Sequence, residues 1–198
     1  MRIGTIGAGA IGQAVAGQAL KAGHEVVLSN SRGPESLAGV VEQLGAGATA
    51  GTVAEAADAD LVLLAVPWSA VEESVAGLPR KDGRIVIDAT NQFGPGMGVE
   101  NSGVRTASEW VQSLIPGSRV IKAFNAMYAS AITADPVHEA GRQVVFYAGD
   151  DLEAKRHFDE TITGFGFAPV DLGPLREGGR LTQVDGGPLS GLHLLRQS

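Results

Sequence analysis

The chain has 198 residues, of which 44% are hydrophobic, and a formal net charge of -7 with no cysteine. That is enough for one sizeable core, or for a nucleotide-binding domain with a small appendage. The acidic balance offers no surface for nucleic acid or anionic membrane, so an anionic ligand must be held by local features. Without cysteine there are no disulfides, thiolate nucleophiles or cysteine-ligated zinc, and no metal site is expected.

In chain order, Arg2 to Ile6 reads as a buried strand, Ile11 to Ala22 as a helix with Ile11, Val15 and Ala19 at i,i+4 spacing, and Gly23 as its stop. Glu25 to Leu28 is a second strand and Pro34 to Leu44 a second helix, Pro34 suiting the first turn because its missing N–H is not needed there. A weak strand at Ala48 to Thr49 and a short helix near Val53 to Ala57 lead to Asp60 to Val66. The unbroken apolar run within that segment is typical of a central parallel strand covered on both faces.

A helix over Ala70 to Ala76 precedes a strand over Arg84 to Asp88, followed by an irregular, glycine-rich stretch from Ala89 to Arg105. Thr106-Ala107-Ser108-Glu109 is a capping box opening a helix that Pro116-Gly117 ends, and Arg119 to Phe124 is the sixth strand. Beyond it come a strand (Gln143 to Tyr147), a helix capped by Asp150 or Asp151 and stopped near Gly164, a strand (Phe167 to Leu172) and an apolar helix over Pro188 to Arg196.

This alternation predicts an α/β fold: a Rossmann-type, doubly wound, mostly parallel sheet in residues 1–124, with a small α+β subdomain in 125–198 packed against it to complete the cleft. The longest apolar run is far short of a membrane span and no charged leader precedes the first strand, so a cytoplasmic protein without membrane partners is expected. The leucines of the last predicted helix fit either core or the seam of an expected homodimer.

Gly7-Ala8-Gly9-Ala10-Ile11-Gly12 sits between the first strand and the first helix, the setting in which G-x-G-x-x-G binds a dinucleotide. Gly7 serves the tight turn, Gly9 the approach of the pyrophosphate and Gly12 the packing of helix on strand. Ala10 and Ile11 bring backbone N–H groups at the helix N-terminus. An enzyme using NAD places an acid at the end of the second strand to bind the ribose 2′-OH. Here the residues are Ser29-Asn30-Ser31-Arg32, whose hydroxyls, amide and guanidinium suit the 2′-phosphate of NADP(H); the plainer reading makes Arg32 a solvated loop residue.

Ala65, Val66 and Pro67 close the fourth strand at the carboxyl edge, where ligands of such sheets bind. Trp68 either walls the reaction cleft or packs on the core. Thr90 and Asn91 follow the fifth strand, and Asn125, Ala126 and Met127 the sixth, at the same edge. His24, His138, His157 and His193 have no partner at catalytic or metal spacing.

Over essentially the whole chain these segments resemble the coenzyme F420-dependent NADP oxidoreductases and their NADPH-binding reductase relatives. The likeness is carried by the glycine loop, Ser31-Arg32, Val66-Pro67-Trp68, Lys122-Ala123-Phe124-Asn125 and Gly173-Pro174-Leu175. It implies a Rossmann domain with a small C-terminal subdomain, often dimeric, in which the deazaflavin lies against the nicotinamide between Pro67, Trp68, Asn125 and Met127. Asn125 stands where archaeal deazaflavin enzymes of this type carry histidine. The Lys-Ala-Phe-Asn segment is also similar to the cytosolic reductase domain of membrane metalloreductases, where NADPH passes its hydride to a flavin.

Hydride exchange between two cofactors needs proximity, stacking and exclusion of water more than acid–base side chains. The expected activity is therefore hydride transfer between NADPH and coenzyme F420, with Arg176 or Arg180 meeting the anionic tail of the partner coenzyme. Alternatives are an NADPH-dependent flavin or metal reductase and a non-catalytic NADPH-binding module. Reductases of imines or hydroxy acids share this architecture but need a large second helical domain, for which too few residues follow the sixth strand.

Overall fold

The computed structural model describes residues 1–78, 80–93, 106–184 and 186–197. A single sheet runs through it in the order β10-β8-β6-β5-β4-β1-β2-β3, with β7 and β9 also paired to β8. The strands are β1 (Arg2–Ile6), β2 (Glu25–Ser29), β3 (Ala48–Ala50), β4 (Leu61–Leu64), β5 (Ile85–Asp88), β6 (Arg119–Ala123), β7 (Val137–His138), β8 (Gly141–Gly149), β9 (Ala168–Asp171) and β10 (Leu195–Arg196). All pairings from β3 across to β6 are parallel.

Eight helices accompany them among the described residues: α1 (Ala10–Lys21), α2 (Ala38–Leu44), α3 (Val53–Ala57), α4 (Val71–Ala76), α5 (Ala107–Leu114), α6 (Ala129–Thr133), α7 (Leu152–Gly164) and α8 (Leu175–Leu181). A 3-10 turn, Pro34–Leu37, forms the start of the helix read from sequence as Pro34 to Leu44.

The apolar strands are sorted by the pleat. Leu61, Leu63, Ile85, Ile87, Ile121 and Ala123 enter the cluster that holds Val15 and Ala19 of α1 and Phe158 of α7. Their neighbours Val62, Leu64, Val86 and Val120 enter a second cluster with Val71 and Val75 of α4 and Val111 of α5. Both faces are covered, which explains why the β4 sequence shows no polar alternation.

After β6 the sheet continues but changes sense, because β8 joins β6 antiparallel, with Lys122 opposite Ala148, and β9 joins β8 parallel. The first antiparallel pairing of the sheet thus comes directly after β6, and the sheet runs on through residues 125–198 without a break. Asp151 is the cap of α7, accepting from Ala154 N–H at 2.8 Å, whereas Asp150 accepts from Leu175 N–H at 2.9 Å and ties down the start of α8.

One expected element is replaced. The helix read over Pro188 to Arg196 is a series of turns ending in β10, whose Leu195 and Arg196 pair antiparallel with Gln143 and Arg142. Gly191 has φ +75, which breaks a helix, and the free side of β8 supplies a ladder for the last residues, so pairing overrides the i,i+3 spacing of Leu189, Leu192 and Leu195. Leu192, Leu194 and Leu195 are exposed.

Candidate dinucleotide site

The three loop glycines are separated by what stands next to them. Gly7 adopts φ +103, and a Cβ there would lie 2.2 Å from Ala65 O. Its N–H donates to Ser29 O at 3.0 Å, stitching the ends of β1 and β2 together. A Cβ on Gly12 would lie 2.2 Å from Gly7 O, so α1 sits directly on the loop. At Gly9 a Cβ would meet nothing within 4 Å: this is the side open to a ligand. Gly9 caps α1, and the first intrahelical bond runs from Gln13 N–H to Gly9 O at 2.9 Å. The first-turn N–H groups have no partner within the helix and, with the dipole, favour phosphate. Gln13 Nε2 donates to Ala8 O at 2.8 Å and steadies the loop.

At the end of β2 the four predicted residues divide their tasks. Ser29 is fully buried, and its hydroxyl donates to Thr5 O at 2.7 Å, so it braces β1. Asn30 Oδ1 accepts from Arg32 N–H at 2.9 Å, and its Nδ2 donates to Ser36 Oγ at 2.9 Å. That folds the loop so that Ser31 and Arg32 are exposed at the cleft. Among the described residues the Arg32 guanidinium has no ion-pair partner, leaving its five donors for a phosphate.

The cleft itself measures about 750 Å³ and runs from Arg32 across Gly7 to Gly9 and on to Ala65, Val66 and Pro67. Its other wall is not among the site residues read from sequence: Thr52, Val53 and Ala54 at the start of α3, Glu73 and Ser74 of α4, and Gly77 and Leu78 just after it. A legible signal existed in Thr52-Val53-Ala54-Glu55, a capping box opening a helix after β3. Thr52 Oγ1 accepts from Glu55 N–H at 3.2 Å while Glu55 Oε2 accepts from Thr52 N–H at 2.7 Å. The Thr52 backbone N–H, and then its hydroxyl, hold the Glu55 carboxylate below its ordinary value.

Ala10, Ile11 and Gly12 form the first turn of α1 and are not among the residues lining the cleft. Trp68 is core: it is buried beside Trp110, ring centroids 4.7 Å apart, in the cluster between α4 and α5. Thr90, Asn91 and Asn125 gather with Gln92 and Gln183 around a much smaller cavity at the ends of β5 and β6, and Met127 packs on the α1 side of the core. Ala126 is buried there, its carbonyl accepting from Gly191 N–H at 3.0 Å. Arg176 and Arg180 are both exposed on α8. Among the described residues no group of three or more His, Asp or Glu is arranged to hold a metal, and no helix is long and apolar enough to cross a membrane.

A parallel sheet whose order reverses between β1 and β4, with a glycine loop opening α1 at that point, defines a Rossmann-type dinucleotide-binding protein. Residues 2–92 match the family model described as NADP oxidoreductase, coenzyme F420-dependent. The hypothetical protein SMa0349 from Sinorhizobium meliloti has a crystal structure with TM-score 0.93 and 40% identity, the match covering 100% of this chain and 97% of that one. A putative F420-dependent NADP-reductase from Arthrobacter sp. FB24 gives TM-score 0.70 and 25% identity, covering 90% of this chain and 88% of that one. Metalloreductase STEAP3 of Rattus norvegicus is 30% identical over 175 residues, 88% of this chain but only 34% of the rat protein. The family match is confined to the nucleotide-binding half, and over its whole length the chain shares a family with the Sinorhizobium protein. The cleft is the candidate site for NADP(H).

Proposed function

We propose that the protein transfers a hydride between NADPH and a deazaflavin, coenzyme F420, laid beside the nicotinamide. The observation that carries this reading is the direction of the cradle. Arg32 lies on the β2 side of β1 and the glycine loop at the β1–β4 crossover, so a dinucleotide stretched over both lays its nicotinamide toward β4, β5 and β6. When bound, NADPH supplies the hydride from the nicotinamide ring. The chain's part is to bind and orient: Arg32 and Ser31 take the 2′-phosphate, the first turn of α1 takes the pyrophosphate, and Val66 and Pro67 with the ends of β5 and β6 flank the reacting ring. Arg176 or Arg180 of α8 is proposed to meet the anionic tail of the partner coenzyme. A replacement of both that leaves its affinity unchanged would remove them from the site.

A flavin or a metal as acceptor is the second reading; the metal is favoured by the similarity to the rat metalloreductase and the flavin by the Lys-Ala-Phe-Asn segment. Mixing the protein with NADPH and following its oxidation with coenzyme F420, FMN, FAD and a reducible metal ion in turn separates the two. Oxidation by coenzyme F420 supports the first, and oxidation by a flavin or the metal alone replaces it with the second. NADPH binding with no oxidation by any of them leaves a binding module.

A further inference from the structure

At the ends of β5 and β6 the sheet buries a charged pair that the dinucleotide cradle does not use. The side chains of Asp88 and Lys122 are 0% and 2% exposed, with Oδ2 and Nζ 3.2 Å apart. For stability alone, two apolar side chains would serve about as well as such a pair. Among the described residues, every other bond the pair makes fixes the backbone just beyond β5 or holds the pair itself in place. Asp88 Oδ1 accepts from Thr90 N–H at 2.9 Å and from its hydroxyl at 2.6 Å. Lys122 Nζ donates to Thr90 O at 2.5 Å, and Ser108 of α5 donates to Asp88 Oδ2 at 2.6 Å. Thr90 is thereby held at its N–H, its side chain and its carbonyl.

The grip passes to the next residues. Asn91 Nδ2 donates to Asn125 O at 2.9 Å, and Asn125 Nδ2 donates to Asn91 Oδ1 at 3.2 Å and to Thr182 O at 2.8 Å. Phe124, just before Asn125, is held at φ +65, a strained conformation for a bulky residue that persists only where its surroundings impose it. Asn125 Oδ1 is buried and unpartnered among the described residues. Burial pushes the Lys122 ammonium below the ordinary lysine value, and Asp88 opposes that shift.

We propose that Lys122 and Asp88 are positioning residues that never touch the coenzyme: together they set Thr90 and Asn91, and through Asn91 also Asn125, beneath the nicotinamide half of the dinucleotide. The inference rests on the cofactor direction given above. Its test compares NADPH with 2′,5′-ADP, which carries the adenosine and 2′-phosphate but no nicotinamide. Wild type, Lys122→Met and the double variant Asp88→Asn/Lys122→Met are titrated with both. The double variant removes both charges and leaves an amide oxygen to accept from Thr90, so it carries the test where the single one does not fold.

The expected result is 2′,5′-ADP affinity unchanged, NADPH affinity about tenfold lower, the scale of one lost charge-assisted hydrogen bond, and kcat reduced further than KM is raised. Equal weakening of the two ligands would make the pair a general stabiliser, and wild-type affinity and turnover in the double variant would make it idle; either overturns the proposal. Wild-type protein that binds 2′,5′-ADP as tightly as NADPH would overturn the cofactor direction itself, and this inference with it.

Discussion

Gly9→Ala and Gly12→Ala are chemically the same change three residues apart, and the structure separates their effects. At position 9 the new methyl meets nothing within 4 Å, and φ -77 with ψ -169 is a conformation that alanine adopts freely. Folding stability should be nearly untouched, with Tm within about 2 °C of wild type. The same methyl occupies the space through which a pyrophosphate reaches the first-turn N–H groups. Losing one such charge-assisted bond corresponds to about 1.5–3 kcal/mol, so NADPH affinity should fall roughly 10- to 100-fold. At position 12 the methyl arrives 2.2 Å from Gly7 O, where ordinary contact begins at 3.4 Å, and the atom it meets is backbone. Overpacking of this kind costs about 1–3 kcal/mol, a Tm lower by roughly 2–12 °C in a chain of this size. Thermal unfolding without ligand, beside a fluorescence titration with NADPH, reads both quantities. Wild-type NADPH affinity in Gly9→Ala, or a wild-type Tm in Gly12→Ala, would refute the division of roles.

Arg32→Ala should weaken NADPH binding about tenfold, less at high salt, and leave NADH binding unchanged; equal losses would remove the 2′-phosphate from Arg32. Trp68→Ala opens a large hole beside Trp110 and should cost about 3–5 kcal/mol in urea unfolding, while 2′,5′-ADP affinity stays the same. Glu55→Gln tests the cap of α3 by pH. The Glu55 carboxylate is held below 4.5 in the folded protein, so its contribution is present above that pH and disappears as the pH falls through the folded value. The variant should therefore have the lower Tm near neutrality, and the gap should close in acid; a gap that persists there would place the effect elsewhere.

The parallel half of the fold was legible because its signals are local: apolar runs of strand length, a glycine loop between strand and helix, a capping box at Thr106. The rest depended on tertiary partners. Helix α8 carries Gly178 and Gly179 at its centre, which reads as a turn. A Cβ on Gly178 would lie 2.8 Å from Ala148 Cβ, so the helix exists there because glycine lets it press against β8. Helix α6 is a short segment whose terminal carbonyls, Ile132 and Ala134, accept from the buried Gln18 of α1, 2.8 Å away in the latter case. In the site, the residue types at the end of β2 announced an anion, but not that Ser29 would face inward. Read from sequence, Asp88 is only the end of a strand and Lys122 only part of the Lys-Ala-Phe-Asn segment, because the two pair across neighbouring strands from positions 34 residues apart.

The large cleft draws all its lining from residues 6 to 78, whereas the polar junction beside it is assembled from residues between 88 and 184. On the proposed cofactor direction, the phosphate grip of Arg32 and the glycine loop lies in one stretch of the gene and the polar junction at the ends of β5 and β6 in another, with Val66 and Pro67 belonging to the first. Changes downstream of β4 would then reach the surroundings of the reacting ring while leaving the phosphate grip intact.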